Sequence, residues 1–162
     1  MNKQETYDFL TAEGVKFEIT EHKAVFTMEE CAEVALPYPE ADAKNLFVRD
    51  DKKRQYYLIT VQGNKRVDLK EFQKAHGTRK LSFASAEDLL DKLKLTPGSV
   101  TPLGLLHDEE KSVEFYLDRD FEGGMIGCHP NDNTATVWLK SSDLIALIEA
   151  HGNAVHWADL SC

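Results

Sequence analysis

The chain has 162 residues, enough for a substantial hydrophobic core, and we expect residues 1–162 to form a single domain. Hydrophobic residues make up 42% and charged residues 29%, as in an ordinary globular protein, and no apolar run approaches the roughly 20 residues that span a bilayer. The net charge of −9 argues, on composition alone, against a nucleic-acid-binding protein.

The N-terminal part of the sequence predicts a helix, a strand and a second, short helix. Asn2 is placed to cap a helix that ends at Gly14, and residues 15–19 alternate between apolar and polar as in a half-buried strand. Thr27 and Glu30 have the spacing of a capping box, which predicts a short helix before Pro37.

Strands and helices are mixed in the rest of the chain. Two strands are expected over 45–49 and 55–61, around the charged turn 50–54, and helices are expected to begin at Asp68 and Ser85. Further strands are expected over 113–117, 134–139 and 155–157. Ser141 or Ser142 is expected to cap a last helix that ends at Gly152. Because strands and helices do not alternate strictly, the pattern predicts an α/β or α+β domain around a mixed sheet.

Basic residues are concentrated in the middle of this acidic chain. Residues 44–80 contain 11 lysines and arginines against four acidic residues. Such a segment can present a positive face to a phosphate backbone, or it can be a solvated surface without a partner. The sequence pattern alone leaves both interpretations open.

Cysteine and histidine spacing gives no indication of a metal or thiol site. Cys31, Cys128 and Cys162 are an odd number without a close pair, which argues against a disulfide scaffold or a zinc ribbon. Cys128 precedes His129, but adjacent strand residues point to opposite faces, so the two side chains are poorly placed to pair. The polar N-terminus has no apolar core of a secretory signal. We therefore expect a cytoplasmic protein with no metal and no membrane contact.

Three other features remain, namely Lys44, the loop 98–102 and the stretch 129–136. Lys44 before an apolar strand is ordinarily a solvated lysine, and Gly98 and Pro102 are ordinarily loop residues. The acidic run 108–110 is typical of a solvated turn, and no glycine-rich phosphate-binding motif is present.

Taken together, these features resemble a known family. The matching segments are EHKAVFTMEE (21–30), KNLFVRD (44–50), YYLITVQGNKRVDLKEF (56–72), LTPGSVTPLGLLHD (95–108) and HPNDNTATVWLKSSDLIALI (129–148). They are similar to the free-standing aminoacyl-tRNA deacylases of the YbaK/ProX type, which are related to the editing domain of bacterial prolyl-tRNA synthetases. The resemblance implies a mixed sheet or partly closed barrel flanked by helices, and one editing domain over the chain.

The resemblance also implies catalytic roles. The family's lysine falls on Lys44, its GxxxP loop on Gly98 to Pro102, and its histidine on His129. Hydrolysis of an aminoacyl ester develops negative charge on the carbonyl oxygen, which loop amides and a lysine can stabilise. Lys44 could equally orient the carbonyl or anchor the substrate, and His129 is expected to contact the terminal ribose or adenine.

Further residues are expected to hold the substrate. The expected substrate-binding residues, including pocket walls that could equally be core residues, are Asn45, Ser99, Val100, Thr101, His129, Phe26 and Met125, with Val25 and His22 as weaker candidates. The expected phosphate contacts to tRNA are Lys52, Lys53, Arg54, Lys65 and Arg66.

The implied activity is trans-editing of mischarged tRNA-Pro, with alanine as the expected amino acid and no cofactor. A synthetase pocket for proline discriminates poorly against a smaller amino acid, because a missing methylene is worth only about 1–3 kcal/mol. Prolyl-tRNA synthetase is a further possible partner. Deacylation of Cys-tRNA-Pro or Ser-tRNA, or non-catalytic binding of tRNA or a synthetase, are alternatives that the sequence leaves open.

Overall fold

The computed structural model describes residues 2–21, 38–63, 65–132 and 134–159. Its α-helices are α1 (Lys3–Ala12), α2 (Leu69–His76), α3 (Ala86–Leu93) and α4 (Ser141–His151). Its strands are β1 (Phe17–Glu21), β2 (Ala43–Asp50), β3 (Tyr56–Gln62), β4 (Leu81–Phe83), β5 (Val113–Asp118), β6 (Met125–Cys128), β7 (Ala135–Lys140) and β8 (Val155–Ala158). Short 3₁₀ helices span Pro39–Ala41, Pro102–His107 and Arg119–Phe121.

The strands form two sheets. The larger sheet has five strands in the order β4-β2-β3-β5-β8, and the smaller has three strands in the order β1-β7-β6. In the larger sheet, β2 runs antiparallel to β3 and β4, whereas β3, β5 and β8 are parallel. The expected mixed α/β fold is confirmed, and the described strands form open sheets rather than a closed barrel. That residues 1–162 make one domain stays a prediction.

Two hydrophobic clusters cover the two faces of the five-stranded sheet. Phe47 and Leu58 belong to the larger cluster, and Val48 and Ile59 belong to the smaller one, into which Phe72 of α2 packs. Because side chains alternate between the two faces along each strand, β3 is buried on both sides and forms the rigid centre of the domain.

Most predicted helix ends are confirmed. Asn2 forms a capping box with Glu5, and the side chains of Asp68 and Ser85 accept hydrogen bonds from the first turns of α2 and α3. The predicted serine cap of α4 is wrong. Ser141 is already the first helical residue, and its hydroxyl donates instead to the Phe121 carbonyl at 2.6 Å.

Other differences concern residues whose environment depends on distant segments. Asp108 is buried and accepts hydrogen bonds from the Val113 amide at 2.9 Å and the Asn153 side chain at 3.0 Å, so the expected solvated turn is wrong for this residue. The helix predicted to begin at Thr27 lies outside the described residues. Among the helices that are described, none is both long and apolar enough to cross a membrane.

Candidate active site

Asn45, the third residue of β2, connects the sheet to the GxxxP loop. Its Nδ2 donates to the Val100 carbonyl at 3.2 Å, and its Oδ1 accepts from the Thr60 hydroxyl at 2.6 Å. The GxxxP loop is therefore attached to the sheet at a defined point, one residue from Lys44 in the chain.

The backbone of the loop is fixed by its own turn. Gly98 has φ +95°, in the left-handed region that glycine adopts without strain. The Ser99 amide donates to the Thr96 carbonyl at 3.0 Å. Thr101 is fully buried, and its hydroxyl accepts from the Leu103 amide at 3.3 Å, where Pro102 begins a 3₁₀ helix. The predicted loop residues thus hold a turn together on both sides of Val100.

Two amides of this loop remain for a substrate. Gly98 is exposed and Val100 is half-buried. Neither of their N–H groups has a hydrogen-bond partner in the described part of the chain. Backbone N–H groups without a partner inside the protein can donate to a negatively charged oxygen and so form an oxyanion site.

Lys44 lies beside Asn45 but on the other face of β2. It is half-buried and pairs with Val61 across the sheet. Because neighbours on a strand point to opposite faces, Lys44 shares its face with Leu46, and Asn45 shares its face with Phe47. Within the described ranges, the Lys44 ammonium makes no hydrogen bond or ion pair.

His129 follows β6 and is electrostatically coupled to Asp42, two residues before Lys44. Its Nδ1 lies 3.0 Å from the Ala135 carbonyl, which only accepts, so Nδ1 carries the proton. Burial raises the pKa of Asp42, while the hydrogen bond at Ala43 and the charge of His129 act in the opposite direction. Sequence reasoning missed Asp42, whose only signal was its position just before Lys44.

The segment after His129 is attached to α1. The Asn131 side chain donates to the Thr6 hydroxyl at 2.9 Å, and the Lys3 ammonium donates to the Thr134 hydroxyl at 3.1 Å. The Asp132 carboxylate accepts from the Thr134 hydroxyl and amide, and these bonds lower the pKa of Asp132. The His129 segment is therefore held by a helix from the other end of the chain.

A groove of about 230 Å³ opens beside the GxxxP loop. Its walls include Asn45, Pro97, Gly98 and Val100, and its outer edge is Phe83, which is 63% exposed. The expected catalytic loop therefore borders an apolar depression that is open to solvent.

Residues 22–147 match the family described as the aminoacyl-tRNA editing domain. The chain belongs to that family. It is 41% identical over 140 residues to the prolyl-tRNA editing protein ProX of Acetoanaerobium sticklandii, covering 86% of this chain and 85% of that protein. It is 37% identical over 149 residues to the prolyl-tRNA synthetase associated domain-containing protein 1 of Mus musculus, covering 89% of this chain and 88% of that protein.

A solved structure shows the same fold. It is described as that of a candidate trans-editing enzyme for prolyl tRNA synthetase, with a TM-score of 0.75, 22% identity, and coverage of 100% of this chain and 98% of that chain. The sequence-based resemblance to editing proteins is confirmed by the family match and the relatives.

Of the expected pocket walls outside the GxxxP loop, Met125 is the one among the described residues, so this wall set stays a prediction. Met125 begins β6 and pairs with Lys140, so it lies about 13 Å along the chain from His129 at the extended-strand rise. Phe26, with Val25 and His22, lies outside the described residues.

The expected tRNA contacts fall in two places. Lys52, Lys53 and Arg54 are exposed in the turn after β2, about 20 Å from Lys44 at the strand rise. Lys65 instead forms ion pairs with Asp118 at 2.9 Å and Asp120 at 2.8 Å, and only 20% of its side chain is exposed.

Arg66 is exposed but also interacts within the molecule. The turn after β2 therefore offers the more accessible cations.

Cys128 is an unsuitable nucleophile in this editing domain. Its side chain is buried, and burial raises the pKa of the thiol to about 12. A thiol with this pKa is almost entirely protonated at neutral pH, when the thiolate would be needed. Among the described residues, no group of three or more histidine, cysteine or acidic side chains is placed to hold a metal ion.

Proposed function

We propose that this protein is a trans-editing hydrolase that removes the amino acid from mischarged tRNA-Pro, with Ala-tRNA-Pro as its substrate. The observation that carries the proposal is the hydrogen bond from Asn45 to the Val100 carbonyl, which attaches the GxxxP loop to β2 one residue from Lys44 in the chain. The names of the relatives, which refer to prolyl-tRNA editing or to prolyl-tRNA synthetase, support the choice of tRNA.

In the proposed reaction, water adds to the ester carbonyl and the bond to the ribose oxygen breaks, releasing the free amino acid and uncharged tRNA. The N–H groups of Gly98 and Val100 are the proposed donors to the developing oxyanion. Lys44 supplies a positive charge from the opposite face of β2, and His129 contacts the terminal ribose or adenine. An oxyanion donor of this kind typically contributes about 10²–10³ in rate.

Specificity for alanine would come from the size of the amino-acid site. A pocket that admits alanine and sterically excludes proline corrects an error that the synthetase cannot avoid by binding alone. The rigid turn from Thr96 to Pro102 supports such exclusion, because both sides of Val100 are held by hydrogen bonds.

The tRNA body is proposed to contact the basic turn after β2. Asp50 is buried, and its carboxylate accepts from the amides of Lys52 and Arg54 at 3.1 and 2.9 Å, so the turn has a fixed shape. A fixed turn of three cations suits a phosphate backbone. Prolyl-tRNA synthetase as a partner and the cytoplasm as the location belong to the same proposal.

The test is deacylation of Ala-tRNA-Pro, Cys-tRNA-Pro, Ser-tRNA-Pro and Pro-tRNA-Pro by the purified protein. We expect alanine to be released fastest and Lys44→Ala to lower that rate about 10²–10³-fold. Lys16→Ala, a change of an exposed lysine before β1, is the matched control and should leave the rate unchanged.

Faster release of cysteine or serine would keep the mechanism and contradict the proposed amino acid. Tight tRNA binding with no hydrolysis of any substrate would contradict the enzyme and favour a binding module.

A further inference from the structure

Both ends of the Asn45 side-chain amide are already engaged inside the protein. The Val100 carbonyl can only accept, so the amide nitrogen must face it, and the amide oxygen then accepts from the Thr60 hydroxyl. This arrangement differs from the expectation that Asn45 contacts the substrate.

Thr60 is the fixed end of this chain of hydrogen bonds. It lies on β3, directly opposite Asn45 in the β2–β3 register and opposite Leu117 of β5 on its other side. Its exposure is 0%, so it cannot touch a substrate. A side chain on the central strand of the sheet has little freedom to move.

The other end of this series of hydrogen bonds is Val100, at the midpoint of the loop. Val100 is held through its carbonyl by Asn45, and the preceding residue is held by the bond from the Ser99 amide to the Thr96 carbonyl. The Val100 N–H lies between these two attachments. If the Asn45 bond is lost, the peptide groups on either side of Val100 can rotate, and the N–H direction is no longer set.

We propose that Thr60 is a positioning residue that, through Asn45, holds the GxxxP loop with the Val100 N–H directed for the ester carbonyl oxygen. The proposal rests on the proposed deacylase function. It assigns Asn45 to the loop rather than to the substrate. A displacement of a catalytic donor by about 1 Å can lower a rate by about 10²-fold.

The decisive variant is Thr60→Val, which keeps the shape of the side chain and removes the hydroxyl. We expect kcat to fall about 10-fold or more with KM within about twofold, because the affected donor acts mainly in the transition state. Thr60→Ser restores the donor and should recover most of kcat. Ser141→Ala is the matched control, since it removes another buried hydroxyl that donates at 2.6 Å, to Phe121.

A second measurement does not depend on activity. Hydrogen exchange of the loop amides over 96–104 should speed up about fivefold in Thr60→Val, the factor expected for one ordinary hydrogen bond, and stay unchanged in Thr60→Ser and Ser141→Ala.

Unchanged loop exchange in Thr60→Val would overturn the proposal, even if the wild-type protein hydrolyses none of the four aminoacyl-tRNAs. Faster exchange without a loss of kcat in an active enzyme would overturn it too. An equal loss of kcat in Ser141→Ala would show a general effect of stability and would also contradict the positioning role.

Discussion

Lys65 allows a quantitative choice between a tRNA contact and a structural ion pair. Its ammonium lies 2.9 Å from an Asp118 oxygen and 2.8 Å from an Asp120 oxygen. Asp118 is fully buried and also accepts from the Gln62 amide at 3.0 Å. Lys65→Met would keep the apolar stem and leave a buried carboxylate without its counter-charge.

The expected loss of stability follows from this geometry. Removing one partner of a buried ion pair costs about 3–5 kcal/mol. Asp118 keeps the amides of Gln62 and Asp120 as donors, and 20% of the Lys65 side chain is exposed. We therefore expect Lys65→Met to lower the free energy of unfolding by about 2–3 kcal/mol.

The pH range of this contribution can be derived from the ion pair. Burial lowers the pKa of Lys65, but the hydrogen bonds to Asp120 and Asp118 raise it by more in total. A lysine whose pKa is raised on folding stabilises the protein fully below its unfolded pKa of about 10.4 and loses that effect as pH rises through the folded pKa. The difference between the variant and wild type should thus be constant from neutral pH to about pH 9.

The assay combines urea unfolding, which measures stability, with the salt dependence of deacylation, which reports on tRNA binding. Lys52→Met is the comparison variant, for which the opposite pattern is expected. Lys52 is exposed in the basic turn, so its loss should change stability by less than about 0.5 kcal/mol and reduce the salt slope of tRNA binding by about 1. The reasoning is refuted if Lys65→Met unfolds at the wild-type urea concentration and reduces the salt slope instead.

Three further variants test the loop and His76. Gly98→Ala and Gly123→Ala both place alanine at positive φ, +95° and +75°, and should each cost about 1–2 kcal/mol by urea unfolding. Only the change at Gly98 should lower kcat, by about 10-fold or more, and equal activities of the two variants would contradict the role of the loop. Burial and the charge of His156 lower the pKa of His76, so stability should fall as pH drops below about 6.5, the unfolded value. His76→Gln should reduce the difference in urea midpoint between about pH 7.5 and about pH 5.5, and an unchanged difference would show that His76 does not contribute to it.

Local patterns predicted the elements whose ends are marked by the sequence itself. Asn2, Asp68 and Ser85 are capping residues, and each is found at the expected helix start. The strands β4 and β6 were not predicted, because β4 has only three residues and β6, with the sequence MIGC, shows no alternation of apolar and polar residues. The parallel pairing of β3 with β5 could not be predicted either, because strand partners depend on packing over the whole sheet.

The site was predictable in its residue types but not in its connections. The resemblance indicated Asn45, while a buried threonine in a continuous apolar strand such as β3 gives no signal of its own. Charge counts along the chain placed Lys65 among the phosphate contacts, because its carboxylate partner Asp118 lies 53 residues away. The same reason explains the wrong cap at Ser141, because the Phe121 carbonyl that accepts its hydroxyl hydrogen bond lies 20 residues earlier in the chain.

The attachment of α1 to the His129 segment has a consequence for synthesis of the protein. The Asn131 side chain reaches Thr6 across 125 residues, and the Lys3 ammonium reaches Thr134 across 131. Contacts of such sequence separation form late, because closing a long chain segment costs entropy before any contact compensates for it. A growing chain on the ribosome therefore has no completed His129 segment until most of the polypeptide has emerged, and the ability to cleave a nearby aminoacyl ester arises together with the finished fold.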